Sequence, residues 1–296
     1  MTTVSASTRR VALPPYLAIL RPEHWIKNVL VAAAPLAAGM LGREHVAIAT
    51  AQAFVAFCLA ASAVYCVNDV CDVERDRHHP RKRLRAVASG AVPVRTALII
   101  AVVCTGASIA LCSTNSLRLV IGIYLVLNIA YSLGLKNEPV VELCIVASGF
   151  LLRAVGGGPA NHIPLSRWFL LVAGFGSLVL VAGKRLSELV QLDGKEPVTR
   201  PMLARYHASY LRMVLGIAAA VTMSAYVLWA FDVGAHRTGF PWATLSIVPL
   251  VVALLRYLLD ADAGRAEAPE RFLVTDRTLQ FLGVAWFAIF LLAVRG

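Results

Sequence analysis

Four of the 17 acidic residues fall within eight positions, in the run N-D-V-C-D-V-E-R-D from Asn68 to Asp76. The run follows an apolar stretch ending at Val67, and spacings of three and four predict that the helix continues through it. Tyr65, Asn68, Asp72 and Asp76 then share one face, with Asp69 beside it. Carboxylates stacked in this way repel one another at the edge of an apolar segment, and a divalent cation relieves the repulsion. Hard oxygen donors with room for water and phosphate oxygens suit magnesium, so Asn68, Asp69, Asp72 and Asp76 are the candidate Mg2+ ligands. Such a metal implies a phosphorylated substrate. The plainer reading is a solvated helix end whose acids pair with Arg75, Arg77 and Arg81.

A basic segment follows directly, H-H-P-R-K-R-L-R from His78 to Arg85, with Pro80 ending the helix. Lys82 and Arg85 are suited to phosphate oxygens that a metal does not reach. Attraction to anionic lipid is the competing explanation for each of these cations. His78 and His79 read as loop residues rather than metal ligands, because no third nitrogen or thiolate stands at ligand spacing. Lys27, Lys136, Lys184 and Arg185 each lie where an apolar run ends on the same predicted side. Together they could form a cationic cleft around the acids; singly, each could be a snorkelling residue. Trp25 is expected as an interfacial anchor. Arg153 lies inside an apolar run, where a cation costs about 2.5–3.5 kcal/mol on insertion scales, so it should face a polar cavity. There it would bind an anionic substrate or brace neighbouring helices. Glu142 lies about three turns before it, on roughly the same face but too far for a direct pair.

Composition determines what must carry these residues. The chain has 296 residues, 58% of them hydrophobic and 15% charged, which excludes an ordinary soluble enzyme. The reading is all-α: a polytopic membrane protein with nine transmembrane helices near 27–42, 46–67, 94–112, 117–135, 139–157, 166–183, 208–231, 242–259 and 278–294. Residues 1–22 are expected as a cytoplasmic tail without signal-peptide features, and 23–296 as a single catalytic domain. Of the 28 Lys and Arg, 22 fall at the N-terminus and in alternate connections, which orients the N-terminus and the acidic cluster toward the cytoplasm. The formal charge of +11 reports this topology and the lipid bilayer, not nucleic acid, since no basic run is interleaved with stacking aromatics. Six cysteines without metal-ligand spacing are expected to be reduced. Gly156, Gly157 and Gly158 read most simply as a flexible turn, with close helix packing as the alternative. The pattern is compatible with a homo-oligomer and does not determine one.

N-D-x-x-D-x-x-x-D after the second span of a nine-span chain resembles the first aspartate motif of the UbiA superfamily of intramembrane prenyltransferases. R-P-x-x-W-x-K-N, Y-S-L-G-L-K, V-V-E-L-C, S-G-F-L-L-R-A and V-A-G-K-R-L-S-E-L extend the likeness over nearly the whole chain. Together they resemble the branch that moves 5-phosphoribose from phosphoribosyl diphosphate to decaprenyl or another polyprenyl phosphate, for cell-wall arabinan, in the plasma (inner) membrane. That resemblance implies a magnesium-dependent enzyme in which Asp72, Asn68 and Lys27 are catalytic. Lys27, Tyr65, Asp76, Lys82, Arg85, Lys184 and Arg185 would bind the sugar donor; Tyr131, Lys136 and Arg153 would serve the lipid phosphate. Ordinary members carry a second D-x-x-x-D after the sixth span, whereas this chain reads K-R-L-S-E with only Glu188 acidic and Asp193 nearby, which argues against a second metal cluster. A conventional prenyltransferase and a non-enzymatic phosphate or cation transporter are the alternatives. The transporter is disfavoured because the polar residues cluster at one end.

Overall fold

A computed structural model describes residues 13–192, 201–235, 239–266 and 276–295, and every regular element among them is helical. The long helices are α1 (Glu44–Cys71), α2 (Val94–Ala110), α3 (Asn115–Leu133), α4 (Val141–Ala160), α5 (Arg167–Leu192), α6 (Ala208–Ala235), α7 (Ile247–Asp262, preceded by the turn Trp242–Leu245) and α8 (Arg277–Arg295). Seven helical segments are long and apolar enough to cross a membrane, and α2 is a shorter apolar helix.

The first expected span, 27–42, is not a regular α-helix. It is a 3-10 segment, Pro22–Ala32, followed by one α-turn, Ala33–Ala37. Pro22 opens the segment, and Pro35, without an N–H and with a ring that crowds the carbonyl four residues back, prevents a continuous ladder through it. The expected boundary of the tail also moves. Residues 1–12 lie outside the described residues, but Pro15–Ala18 is helical, Ile19 is buried, and the Leu20 carbonyl accepts a 2.9 Å hydrogen bond from Ser62 on α1. The packed domain therefore begins before position 22.

Two apolar cores meet on α4. One joins α1, α2 and α3 with the N-terminal segment around Phe57, Leu117 and Ile121; the other joins α4, α5, α6 and α7 around Leu143, Leu186 and Leu211. Small residues on α1 let α2 approach, and Ser108 on α2 donates to the Ala56 carbonyl at 2.7 Å. Gly156, Gly157 and Gly158 lie inside α4 and are buried, so close packing replaces the expected turn. A Cβ on Gly157 would stand 1.9 Å from the Val31 carbonyl oxygen and 2.7 Å from the Pro35 ring.

Gly157→Ala is therefore expected to destabilise by about 1–3 kcal/mol or more, because backbone has to move. Gly122→Ala, where a Cβ meets nothing within 4 Å, should be neutral or slightly stabilising. Thermal melts of both variants in detergent test this; equal midpoints would contradict the packing.

Candidate active site

The acidic run occupies the end of α1 and the turn after it. The helix bends at Asp72 (φ −99°, ψ 3°), while backbone hydrogen bonds from Asp72 to Asn68 (3.0 Å) and from Asp76 to Asp72 (2.8 Å) persist across the bend. The expected face from Tyr65 to Asp76 is thus kept in outline and broken at one residue. Asp69 and Asp76 are buried, and Tyr65, Asn68 and Asp72 are half-buried.

Asp69, Asp72 and Asp76 are each met by a cation from outside the run. Arg21 pairs with Asp69 and lies over the Tyr65 ring, 4.8 Å from its centroid. Arg85 bonds Asp76 at 2.5 Å and reaches Asp69 at 3.5 Å. Lys136 bonds Asp72 at 2.6 Å, and Arg75 shares the same oxygen at 2.5 Å. Of the arginines expected to pair with a solvated helix end, Arg75 meets Asp72 and Arg77 meets only Glu74. Burial pushes the Asp72 carboxyl up, but Lys136 and Arg75 outweigh it and hold its pKa below the ordinary carboxylate value. Ser132 donates weakly to the Asn68 side-chain oxygen, at 3.4 Å.

The basic loop is organised by His79. Its Nδ1 accepts the backbone N–H groups of Arg81 (3.2 Å) and Lys82 (3.3 Å), which leaves the hydrogen of the neutral ring on Nε2. Burial and then Lys82 push its pKa below the ordinary histidine value. The loop reading of His79 was right in kind, yet the residue shapes the turn that carries Lys82 and Arg85. Trp25 is tied inward, its indole N–H donating to Ser62 at 3.1 Å, and so pins the segment bearing Lys27 to α1.

Two expected substrate contacts are instead braces. Arg185 is buried, with Nε bonded to Glu142 at 2.9 Å, Nη2 to the same Glu142 oxygen, and Nη1 to Glu188 at 2.8 Å. Every guanidinium nitrogen is taken by a carboxylate, so the expected phosphate contact gives way to a tie between α4 and α5. Lys184 stands beside this cluster, 3.9 Å from Glu188. Arg153 is likewise enclosed: Nε bonds Asn28 at 2.6 Å, Nη1 the Gly149 carbonyl at 2.7 Å and Nη2 the Tyr124 hydroxyl at 2.7 Å. Asn28 in turn donates to the Cys58 sulfur at 3.2 Å. Three neutral acceptors solvate this cation inside the bundle, so it braces the N-terminal segment against α1, α3 and α4 rather than meeting a lipid phosphate.

The donor set fits magnesium in a limited form. No three His, Cys, Asp or Glu side chains among the described residues are grouped to hold a metal. Asn68 and Asp72 nevertheless offer two hard oxygen donors one turn apart, and the Asn68 oxygen is engaged only weakly. Magnesium binds commonly through one or two carboxylates together with substrate phosphates and water. Away from this pole, a cavity of about 720 Å3 is lined without any charged side chain, by residues including Phe150, Phe169, Trp229, Tyr257, Trp286 and Phe290. All six cysteines are free, as expected. Asp193 lies outside the described residues.

Residues 17–293 match the UbiA prenyltransferase family, and the chain belongs to it. It is 47% identical over 277 residues to the decaprenyl-phosphate phosphoribosyltransferase of Mycobacterium tuberculosis, covering 91% of this chain and 90% of that one. With the protein of the same name from Corynebacterium glutamicum it shares 45% over 282 residues, 93% of this chain and 85% of the other. The fold matches a UbiA homolog from Archaeoglobus fulgidus bound to GPP and Mg2+, with a TM-score of 0.71 at 15% identity over 95% of this chain and 100% of that one.

Lys136→Met should cost about 1–3 kcal/mol at pH 7, because it removes a donor from a half-buried carboxylate. Since the native pKa of Asp72 is lowered, the stabilisation it reports exists above the unfolded value of 3.8 and disappears as pH falls through the native one. The difference between wild-type and variant melting midpoints should therefore narrow below about pH 4; a pH-independent difference would contradict the pairing.

Proposed function

We propose that this chain transfers 5-phosphoribose from phosphoribosyl diphosphate to decaprenyl phosphate, releasing diphosphate and forming a lipid-linked phosphoribose. The observation that carries the reading is identity at nearly half of all positions, over nine-tenths of both chains, with a protein named for that activity. The geometry supports it at the one place where a prenyl-transferring relative would need more acid. Glu142 and Glu188 are already paired with Arg185 and Lys184, which leaves the Asn68–Asp76 run as the candidate metal pole.

Asn68 and Asp72 would hold magnesium, with Asp69 and Asp76 as support once their arginines turn to substrate. When bound, the metal supplies charge neutralisation to the departing diphosphate. Lys27, Tyr65, Lys82, Arg85 and Lys184 would surround the donor, and Arg21, beside Tyr65 and Asp69, joins them. Tyr131 and Lys136 would receive the lipid phosphate. In this arrangement Arg85 and Lys136 already rest on anionic oxygens, so binding exchanges one set of anions for another and requires little rebuilding.

The acceptor phosphate is an oxyanion near neutral pH. Its oxygen attacks ribose C1, the bond from C1 to the diphosphate oxygen breaks, and the electron pair leaves with diphosphate. Positioning matters more than proton transfer. Inversion at C1 is expected. We place nine membrane segments around this site, counting Pro22–Ala37 and α2, with the N-terminus and the acidic pole on the cytoplasmic side of the plasma membrane. The apolar cavity is assigned to isoprenoid.

Purified protein given labelled phosphoribosyl diphosphate, magnesium and decaprenyl phosphate should yield a labelled lipid. Asp72→Asn should lower kcat by about a hundredfold or more. A wild-type protein that labels no lipid, or that instead prenylates an aromatic acceptor, would overturn the assignment.

A further inference from the structure

Glu142 has one carboxylate oxygen that the protein does not use. The residue is 1% exposed, in the first turn of α4. Its Oε1 receives both Nε and Nη2 of Arg185, while Oε2 is closed off from solvent and has no hydrogen-bond partner. The third Arg185 nitrogen bonds Glu188, and no donor of the guanidinium lies within hydrogen-bond reach of Oε2. An acceptor buried without a donor is costly, and such atoms in folded proteins call for a specific partner.

Its position connects it to the active site. Glu142 follows closely on the turn Leu135–Asn137, whose Lys136 grips Asp72. Arg185, which fixes Glu142, lies within electrostatic reach of Tyr131, and Ser132 beside that tyrosine touches Asn68. Glu142 thus lies just beyond the turn that brings Lys136 to Asp72, and Arg185 ties it to α5.

The two substrates bring few groups that could satisfy it. Phosphate oxygens repel a carboxylate, and an isoprenoid chain has no donor. The remaining polar groups are the ribose hydroxyls. Resting on the phosphoribosyl reading above, we propose that Oε2 of Glu142 accepts a hydrogen bond from a ribose hydroxyl of the donor, and that Arg185 is a positioning residue that holds the carboxylate for it. A prenyl diphosphate leaves this oxygen unpaired, so the same contact selects a sugar donor over a prenyl one on a shared scaffold. Sites built to hydrogen-bond a hydroxyl reject analogues that lack it far more strongly than apolar pockets reject an extra methylene.

The test compares phosphoribosyl diphosphate with its 2-deoxy and 3-deoxy counterparts, reading labelled lipid and kcat/KM. Wild type should lose about tenfold to a hundredfold on one deoxy donor. Glu142→Gln should lose a similar factor on the full donor, and its preference for the hydroxylated sugar should fall to near one. Arg185→Lys, which keeps the charge without the fork, should narrow the same preference; an unchanged preference there removes Arg185 from the role. Equal losses for Glu142→Gln on all three donors, or a preference it retains, would assign Glu142 to structure alone. The wild-type comparison needs no variant: equal use of all three donors overturns the proposal even if Glu142→Gln fails to accumulate. No labelled lipid from the full donor would instead overturn the phosphoribosyl reading itself.

Discussion

Charge neutralisation at the end of an apolar bundle is the constraint on which the rest of this structure depends. Asp69, Asp76 and Glu142 are almost wholly buried, and each is bonded to a cation supplied by a different element. Leaving one such partner unpaired costs on the order of 3–5 kcal/mol, more than most single contacts contribute. The pairs therefore fix where those elements can lie. Arg21 fastens the N-terminal segment to the end of α1, Arg85 folds the basic loop back over it, Lys136 draws in the turn before α4, and Arg185 ties α5 to α4. The groups that would hold substrate are the same groups that hold the pole together, so a cleft of strong charges can exist without separate scaffolding.

The parts of this arrangement legible in the sequence are those with local causes. Apolar runs marked the long helices because burial in lipid demands about twenty apolar residues in a row, and the acid spacing marked the pole because helical periodicity is local. Pairing was not legible. Lys136 and Asp72 are 64 positions apart, Arg153 and Asn28 are 125 apart, and nothing in either neighbourhood specifies the other. Arg153 and Arg185 looked like substrate ligands for that reason: a cation in an apolar run announces that it must be satisfied, but not by what. The pairing of Arg21 with Asp69 was hidden for the same reason, since Arg21 lies in an apparent tail. The 3-10 character of Pro22–Ala32 had a visible cause in Pro22 at its start and Pro35 just beyond it, yet hydropathy alone counted the region as an ordinary span.

Arg153 and Arg185 also show two solutions to one problem. Arg185 is bonded to two carboxylates, with Lys184 as the second cation of the group, and so contributes little net positive field at the pole. Arg153 has only neutral acceptors, two side-chain oxygens and one carbonyl, among its hydrogen-bond partners. Its hydrogen bonds are satisfied while its charge is not cancelled locally, and Tyr65 lies within its electrostatic reach. A residue can thus be a brace by contact and still raise the positive potential where an anion is to sit, because fields extend farther than hydrogen bonds in a medium of low dielectric.

That separation between contact and field explains how one fold serves different donors. The helical scaffold matches a UbiA homolog at only 15% identity, so the bundle itself says little about which bond is broken. Arg185 bonds both Glu142 and Glu188 with Lys184 beside them, whereas the acids of the first run take their cations from Arg21, Arg85 and Lys136. A prenyl donor presents only a diphosphate and a hydrocarbon, and two acidic poles suit two clusters of metal on that diphosphate. A phosphorylated sugar presents a second anionic end and hydroxyl groups between, and a wall of fixed, mutually neutralised charge with a spare acceptor suits that surface better than another metal does.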